Sequence, residues 1–224
     1  MEHTKDDNGG FFLDQQMQRE LRQVFKKLNK KVILTAILEK NSSKSSEMTQ
    51  LLNEIAELSD FIEVNCITAG CSPDLEELMD CDGHFPALGI FDGQMQFSGL
   101  SYLGIPGGKE INSLVYGLYN VAGPGQTISG KNKKRLTKII SPHRIKVCVS
   151  LACHHCCNTV IASQLLSAQN PYLSSQMIDA ALFPDIVEKY KLERVPLLIL
   201  DDTAFLWGEK GIEDILSLLE NSIS

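Results

Sequence analysis

One order of strands and helices is predicted twice along this chain. Apolar runs rich in β-branched residues predict strands, and apolar residues spaced three and four apart predict helices. In each copy a proline, first Pro86 and then Pro196, precedes an apolar strand and a turn that contains aspartate. Self-similarity at a fixed period is the signature of repeated structural units. The sequence therefore predicts a tandem duplication.

Each copy has a predicted order of strand, helix, strand, a further helix, two hairpin strands and a last helix. A helix over residues 15–28 precedes the first copy, which has strands at 31–38, 61–67, 86–91 and 94–97 and helices at 46–59 and 108–120. The second copy has strands at 146–150, 174–179, 196–200 and 203–207 and helices at 153–168, 183–190 and 211–221.

Gly123-Pro124-Gly125 and a basic run at 131–135 interrupt the pattern between the copies. Turn-forming and charged stretches of this kind are typical of linkers. We therefore predict a first domain at 13–125, a solvated linker at 126–143 and a second domain at 144–224. A β-α-β half followed by a β-β-α half resembles the thioredoxin fold. The predicted class is α/β, with two tandem thioredoxin-like folds, each a central mixed β-sheet flanked by helices.

A C-x-x-C motif, Cys153-His154-His155-Cys156, lies between a predicted strand and a predicted helix. In this context the motif is typical of a redox dithiol. A sulfur at a helix N-terminus faces unpaired N–H groups, which favour the thiolate. We predict Cys153 as the nucleophile and Cys156 as the resolving thiol, with protonated His154 and His155 adding positive charge. Half of a metal site, or a chance pair of cysteines, are the alternatives.

The likeness to thioredoxin-like proteins also implies roles for Val195 and Pro196. At this position such proteins have a cis-proline beside the dithiol, and the backbone of the preceding residue pairs with the partner peptide. Pro86 is the counterpart in the first copy. The segment 41–44, which matches the position of the dithiol there, contains no cysteine.

Over residues 13–221 the chain resembles the N-terminal domain of the alkyl hydroperoxide reductase flavoprotein subunit. The segments that carry the resemblance are the strand at 31–38, the helix end at 51–60, Phe97-Ser98-Gly99, Gly108-Lys109-Glu110 and the segment 150–156 with the dithiol. The resemblance implies that the dithiol takes electrons from the C-x-x-C of a flavoprotein and passes them to a peroxiredoxin disulfide. It also implies that Glu110 lies near the dithiol. Without the resemblance, Glu110 would be an exposed acid in the first turn of a helix.

Two features depart from that family. Cys157 stands where the family usually has proline, and its role is open. No G-x-G-x-x-G occurs in a strand–helix context, so we predict no flavin domain and no bound cofactor. The flavin is then expected only on a separate partner, a thioredoxin-reductase-like flavoprotein.

Cys66, Cys71, Cys81 and His84 are foreign to the family pattern. They are ligand types that suit zinc, but their spacing matches no paired C-x-x-C site. A zinc site, free buried thiols and an auxiliary disulfide remain open. We predict no metal at the catalytic site.

Composition excludes several classes of partner. The formal net charge of −7, from 28 acidic and 21 basic residues, argues against nucleic acid and anionic membranes. The sequence lacks the roughly 18 apolar residues of a membrane span, and its acidic start is unlike a signal peptide. Seven cysteines in a reducing compartment disfavour structural disulfides.

We therefore predict a cytoplasmic thiol-disulfide oxidoreductase that relays electrons from a flavoprotein reductase to a peroxiredoxin or another protein disulfide. The alternative is a non-catalytic binding module with the same fold, with or without zinc. Two further residues receive structural predictions: Trp207 packs in a hairpin, and His143 lies at the surface.

Overall fold

The structure is a computed structural model that describes residues 12–222. The strands are β1 Val32–Leu38, β2 Ile62–Thr68, β3 Ala87–Asp92, β4 Phe97–Leu103, β5 His143–Val149, β6 Leu173–Asp179, β7 Leu197–Leu200 and β8 Ala204–Trp207. The helices are α1 Gln15–Phe25, α2 Ser43–Ala56, α3 Pro73–Leu78, α4 Ile111–Ala122, α5 Gly130–Leu136, α6 Cys156–Gln169, α7 Pro184–Lys189 and α8 Ile212–Ser222. A single 3-10 turn, Gly108–Glu110, precedes α4.

The eight strands form one sheet in the order β2-β1-β3-β4-β6-β5-β7-β8. Each copy contributes four neighbouring strands in the same relative order, which confirms the α/β class with two thioredoxin-like units. Parallel pairing of β4 with β6, for example Leu100 with Ser175, joins the two units edge to edge. The duplicated pattern therefore builds a single continuous sheet.

Alternate side chains of the strands face the two sides of this sheet, as strand geometry requires. In β5, Val147 and Val149 belong to the larger apolar cluster, which both copies share. Cys148, between them, belongs to a second cluster on the opposite face. The sheet thus has an apolar core on each side, and both cores extend across the boundary between the copies.

The second hairpin strand of the first copy lies further along the chain than predicted. The sequence places it at 94–97, whereas β4 spans Phe97–Leu103. The Oδ1 atom of Asp92 accepts hydrogen bonds from the backbone N–H groups of Gln94 and Gln96, both at 2.9 Å. These bonds hold residues 94–96 in the turn, so pairing resumes only at Phe97.

The basic run at 131–135, predicted as part of a solvated linker, is helical. It forms most of α5, where the Ser129 side chain caps the first turn and Leu136 is buried. Arg135 Nε and Nη2 donate to the two carboxylate oxygens of Glu220 in α8, at 2.9 and 2.8 Å. The high density of charge concealed a helix that packs on the second copy. The domain limits 13–125, 126–143 and 144–224 stay a prediction.

His143 is buried, with 8% exposure, so the prediction of a surface position is wrong. Its Nδ1 atom lies 2.6 Å from Oδ2 of Asp201, and its Nε2 atom lies 3.1 Å from Oγ of Ser141. Trp207 pairs with Leu197 across the β7–β8 hairpin, where the sequence expects it. Within residues 12–222, the helices are all too short or too polar to cross a membrane.

Candidate active site

The dithiol lies where β5 ends and α6 begins, but the helix starts later than predicted. The sequence places its first residue at Cys153, whereas α6 begins at Cys156. The backbone N–H of Cys153 donates to the Ser150 carbonyl oxygen at 2.9 Å, which closes a turn before the helix. Cys153 is half-buried in this turn, and Cys156 is fully buried in the first turn of α6.

The two thiols differ in their tendency to ionise. Burial, and next a hydrogen bond with the Cys153 sulfur, raise the pKa of Cys156 well above the usual range of a thiol. Cys156 is therefore a protonated donor at neutral pH. A thiol that donates to its neighbour stabilises a negative charge on the neighbour. The arrangement favours Cys153 as the first thiolate.

A glycine in the 3-10 turn brings the first copy against the loop before the dithiol. Gly108 has a φ of +55°, and a Cβ atom there would lie 2.9 Å from the carbonyl oxygen of Leu151. The backbone N–H of Lys109 donates to the same oxygen at 3.1 Å. The close approach therefore needs glycine, and it anchors Glu110 beside the segment that carries the dithiol.

Glu110 is fully buried, which excludes the exposed position that the sequence would otherwise give it. Its two carboxylate oxygens accept no hydrogen bond within residues 12–222 by distance and angle. Burial raises the pKa of Glu110 to about 7, the charge of Asp179 adds to the shift, and the Ser113 side chain opposes part of it. The charge of Glu110 acts in turn on the pKa of Cys156. A titrating carboxyl from the first copy therefore faces the dithiol of the second.

Cys157 lies behind the dithiol and is also buried. Burial, followed by the charge of Glu110, raises the pKa of Cys157 to about 12, and a hydrogen bond from the Ser113 backbone opposes the shift. Cys157 is thus a neutral thiol at physiological pH and packs between the copies.

The two histidines of the motif are both exposed. The Nδ1 atom of His155 lies 2.7 Å from Oε2 of Glu209, and Nδ2 of Asn158 donates to Oε1 of the same carboxylate at 2.6 Å. Hydrogen bonds from Asn158 and then His155 lower the pKa of Glu209. Sequence analysis missed Glu209 because it lies more than fifty residues beyond the motif, in a segment with no motif of its own.

The Val195–Pro196 and Phe85–Pro86 peptide bonds are both cis, as expected for this fold. Pro196 is buried, and its carbonyl oxygen accepts a hydrogen bond from the Gly208 N–H at 2.9 Å. Val195 and Cys153 are both partly buried and pack against the same apolar cluster.

The cysteines of the foreign segment are not brought together as a metal site. Cys66 and Cys71 are exposed free thiols and Cys81 is a buried free thiol, so burial was predicted correctly only for Cys81. His84 Nε2 lies 2.6 Å from Oδ2 of Asp185. Among residues 12–222, His, Cys, Asp and Glu form no group of three or more that could hold a metal ion. The structure therefore gives the zinc alternative no support.

Two thioredoxin-like units with one dithiol between strand and helix define a thiol-disulfide oxidoreductase of the thioredoxin class. The family model described as Thioredoxin domain matches residues 143–220, within the second copy. The alkylhydroperoxide reductase AhpF of Enterococcus faecalis has a structure 32% identical in sequence. The match covers 93% of this chain and 99% of that one, with a TM-score of 0.87. The chain belongs to this family, in the part formed by its N-terminal domain.

Two further relatives delimit the likeness. The AhpF protein of Pseudomonas putida is 28% identical over 210 residues, which are 94% of this chain and 38% of that protein. The chain thus spans little more than a third of the length of the curated relatives it matches. A protein disulfide oxidoreductase from Aeropyrum pernix is 20% identical, with a TM-score of 0.82 and 93% of each chain covered. At that identity, the second likeness shows the fold alone.

Proposed function

We propose that this chain reduces protein disulfides in the cytoplasm by cycling Cys153 and Cys156 between dithiol and disulfide. The observation that carries the proposal is the asymmetry of the pair. Cys153 is half-buried, whereas Cys156 is fully buried and hydrogen-bonded to it. Such a pair has one thiol that can reach a partner and one that can act only on the first.

The reaction has two exchange steps. The Cys153 thiolate attacks the partner disulfide, a bond forms between Cys153 and one partner sulfur, and the other sulfur leaves as a thiolate. Cys156 then loses its proton and attacks Cys153, which releases the second partner thiolate. The partner gains two electrons and two protons, and Cys153 and Cys156 end as a disulfide.

Glu110 supplies a place for the proton of Cys156. A general base is most effective when its pKa lies near the working pH, and burial raises the pKa of Glu110 to about 7. In the proposed second step its carboxylate accepts the proton from Cys156. In the reverse direction, when a donor reduces the disulfide, the protonated carboxyl returns it.

The proposed donor is a separate thioredoxin-reductase-like flavoprotein, and the proposed acceptor is a peroxiredoxin or another disulfide protein. The relatives named as alkyl hydroperoxide reductases support peroxide metabolism as the setting. The chain itself needs no bound cofactor for thiol exchange. We assign contact with the partner to His154, His155, Val195 and Pro196, which flank the dithiol in the motif and at the cis-proline.

The test is reduction of insulin disulfides with dithiothreitol as the electron source. Wild-type protein should accelerate the reaction, and Cys153→Ser should abolish the acceleration. Cys71→Ser is the matched control, since Cys71 is an exposed thiol of the first copy, and it should react like the wild type. A wild-type rate equal to that of dithiothreitol alone would contradict the proposal and favour the non-catalytic binding module.

A further inference from the structure

The first turn of α6 is tied to the segment between β8 and α8 by three contacts. Glu209 makes two of them, to Asn158 at 2.6 Å and to His155 at 2.7 Å. The third is the hydrogen bond from the Lys210 backbone N–H to Oγ1 of Thr159, at 2.9 Å. Glu209 thus bridges the residue inside the C-x-x-C motif and the helix that follows it.

The position of Glu209 matters because of the charges that a thiolate at Cys153 would meet. The N-terminal end of α6 carries a partial positive charge, and a protonated His155 would add a full one. Both favour ionised sulfur. The Glu209 carboxylate lies at this same helix end and engages His155 directly, so it opposes both effects.

We propose that Glu209 is a positioning residue that holds His155 against the β8–α8 segment and neutralises it. This limits the thiolate at Cys153 and poises the dithiol as a reductant of other proteins. The inference rests on the proposed function, because it assigns a residue that sets the direction of that exchange.

Other charged groups face the site, and the proposed substitution leaves them in place. His154 lies in the motif itself, and Lys210 follows Glu209. The neighbouring elements contribute Lys109 and Glu110 from the 3-10 turn, Asp179 from β6 and Lys44 from α2.

The sign of the effect follows from the charge of the pair. If His155 has the same protonation state in both proteins, Glu209→Gln makes the site one charge more positive. If only the wild-type His155 is protonated, the pair is neutral in both proteins. The variant site is therefore never more negative than the wild-type site. A more positive site stabilises the thiolate and hence the reduced form.

The test compares full-length wild type and Glu209→Gln in two measurements. Iodoacetamide alkylation of Cys153 over a pH series should shift to lower pH, with a rate about three- to tenfold higher near pH 6. The equilibrium with glutathione should move toward the reduced dithiol, where each tenfold change corresponds to 29.6 mV. Superimposable alkylation curves and equal equilibrium constants would overturn the inference.

Two variants control for structure. Glu63→Gln removes a carboxylate from a comparable exposed ion pair, with Lys31 at 2.7 Å on the edge strand β2 of the first copy, and should change neither measurement. Asn158→Ala removes one contact of Glu209 but keeps the charge. An Asn158→Ala effect as large as that of Glu209→Gln would show a structural role only. A wild type that fails to reduce insulin would instead contradict the proposed function.

Discussion

Cys153 and Cys156 are separated by only two residues, yet they lie in different environments. Cys153 is in a turn ahead of the helix, whereas Cys156 is enclosed by the core that both copies share. Burial disfavours a charged sulfur because the protein interior solvates the thiolate poorly. At the residue scale, the environment of each thiol assigns the order of attack.

Trapping experiments test this order. With Cys156→Ser, the mixed disulfide between Cys153 and a partner cannot be resolved, so the complex should accumulate. Mass spectrometry of the proteolysed complex should find the partner attached to Cys153. Partner found on Cys157 in this variant, or on Cys156 in Cys153→Ser at comparable yield, would contradict the assignment.

Glu110 should make stability depend on pH. Its pKa is raised from 4.5 to about 7 in the folded protein, so between these values the folded state binds more protons than the unfolded state. Stability from this group is then fully present below pH 4.5 and falls as pH rises toward 7. The difference corresponds to about 3 kcal/mol.

Replacement of Glu110 by glutamine removes this pH dependence. Relative to wild type, Glu110→Gln should gain up to about 3 kcal/mol of unfolding free energy at pH 8 and little at pH 4.5. Urea unfolding at both pH values is the measurement. An equal effect at the two pH values would show that Glu110 does not titrate between them. The same variant should slow disulfide exchange, since it cannot accept the proton of Cys156.

At the scale of the elements, the 3-10 turn decides whether the first copy reaches the dithiol. Gly108→Ala places a methyl group 2.9 Å from the Leu151 carbonyl oxygen at a φ of +55°. We expect a loss of about 1–3 kcal/mol in unfolding free energy, and a rate of insulin reduction below that of the control. Gly70→Ala is the control, since Gly70 has a φ of +81° but no atom within 4 Å of the added Cβ. Equal rates for the two variants would contradict a positioning role for this turn.

The strands of the sheet could be predicted because their signal is local. The run at 31–38 is apolar and β-branched whatever surrounds it, and β1 begins only one residue later. The position of β4 could not be predicted, because it depends on two hydrogen bonds of the Asp92 side chain. The helix start at Cys156 likewise depends on a turn closed by Ser150.

Long-range contacts explain what the sequence did not show about the site. His143 is buried because Asp201, far along the chain, meets its ring. Glu209 reaches His155 only because β8 ends beside α6. The Cys153–Cys156 motif was visible from spacing, whereas the burial of Glu110 depends on packing between two copies that lie apart in sequence.

At the scale of the whole molecule, the duplication gives one site rather than two. The second copy contributes Cys153 and Cys156, and the first contributes Glu110 from the turn that follows β4. Parallel pairing of β4 with β6 places that turn at the same end of the sheet as the end of β6. The copy without a dithiol is therefore part of the site, and the continuous sheet holds the two contributions in register.

The most direct test of this account is a single-turnover transfer to a peroxiredoxin. Reduced wild-type protein, freed of dithiothreitol, is mixed with a disulfide-form two-cysteine peroxiredoxin, and the disulfides of both proteins are counted by mass spectrometry after acid quenching. The account predicts that each chain forms one Cys153–Cys156 disulfide as one peroxiredoxin disulfide is reduced. It also predicts a slower transfer for Glu110→Gln. A peroxiredoxin that stays oxidised beside an intact Cys153–Cys156 dithiol would contradict the account.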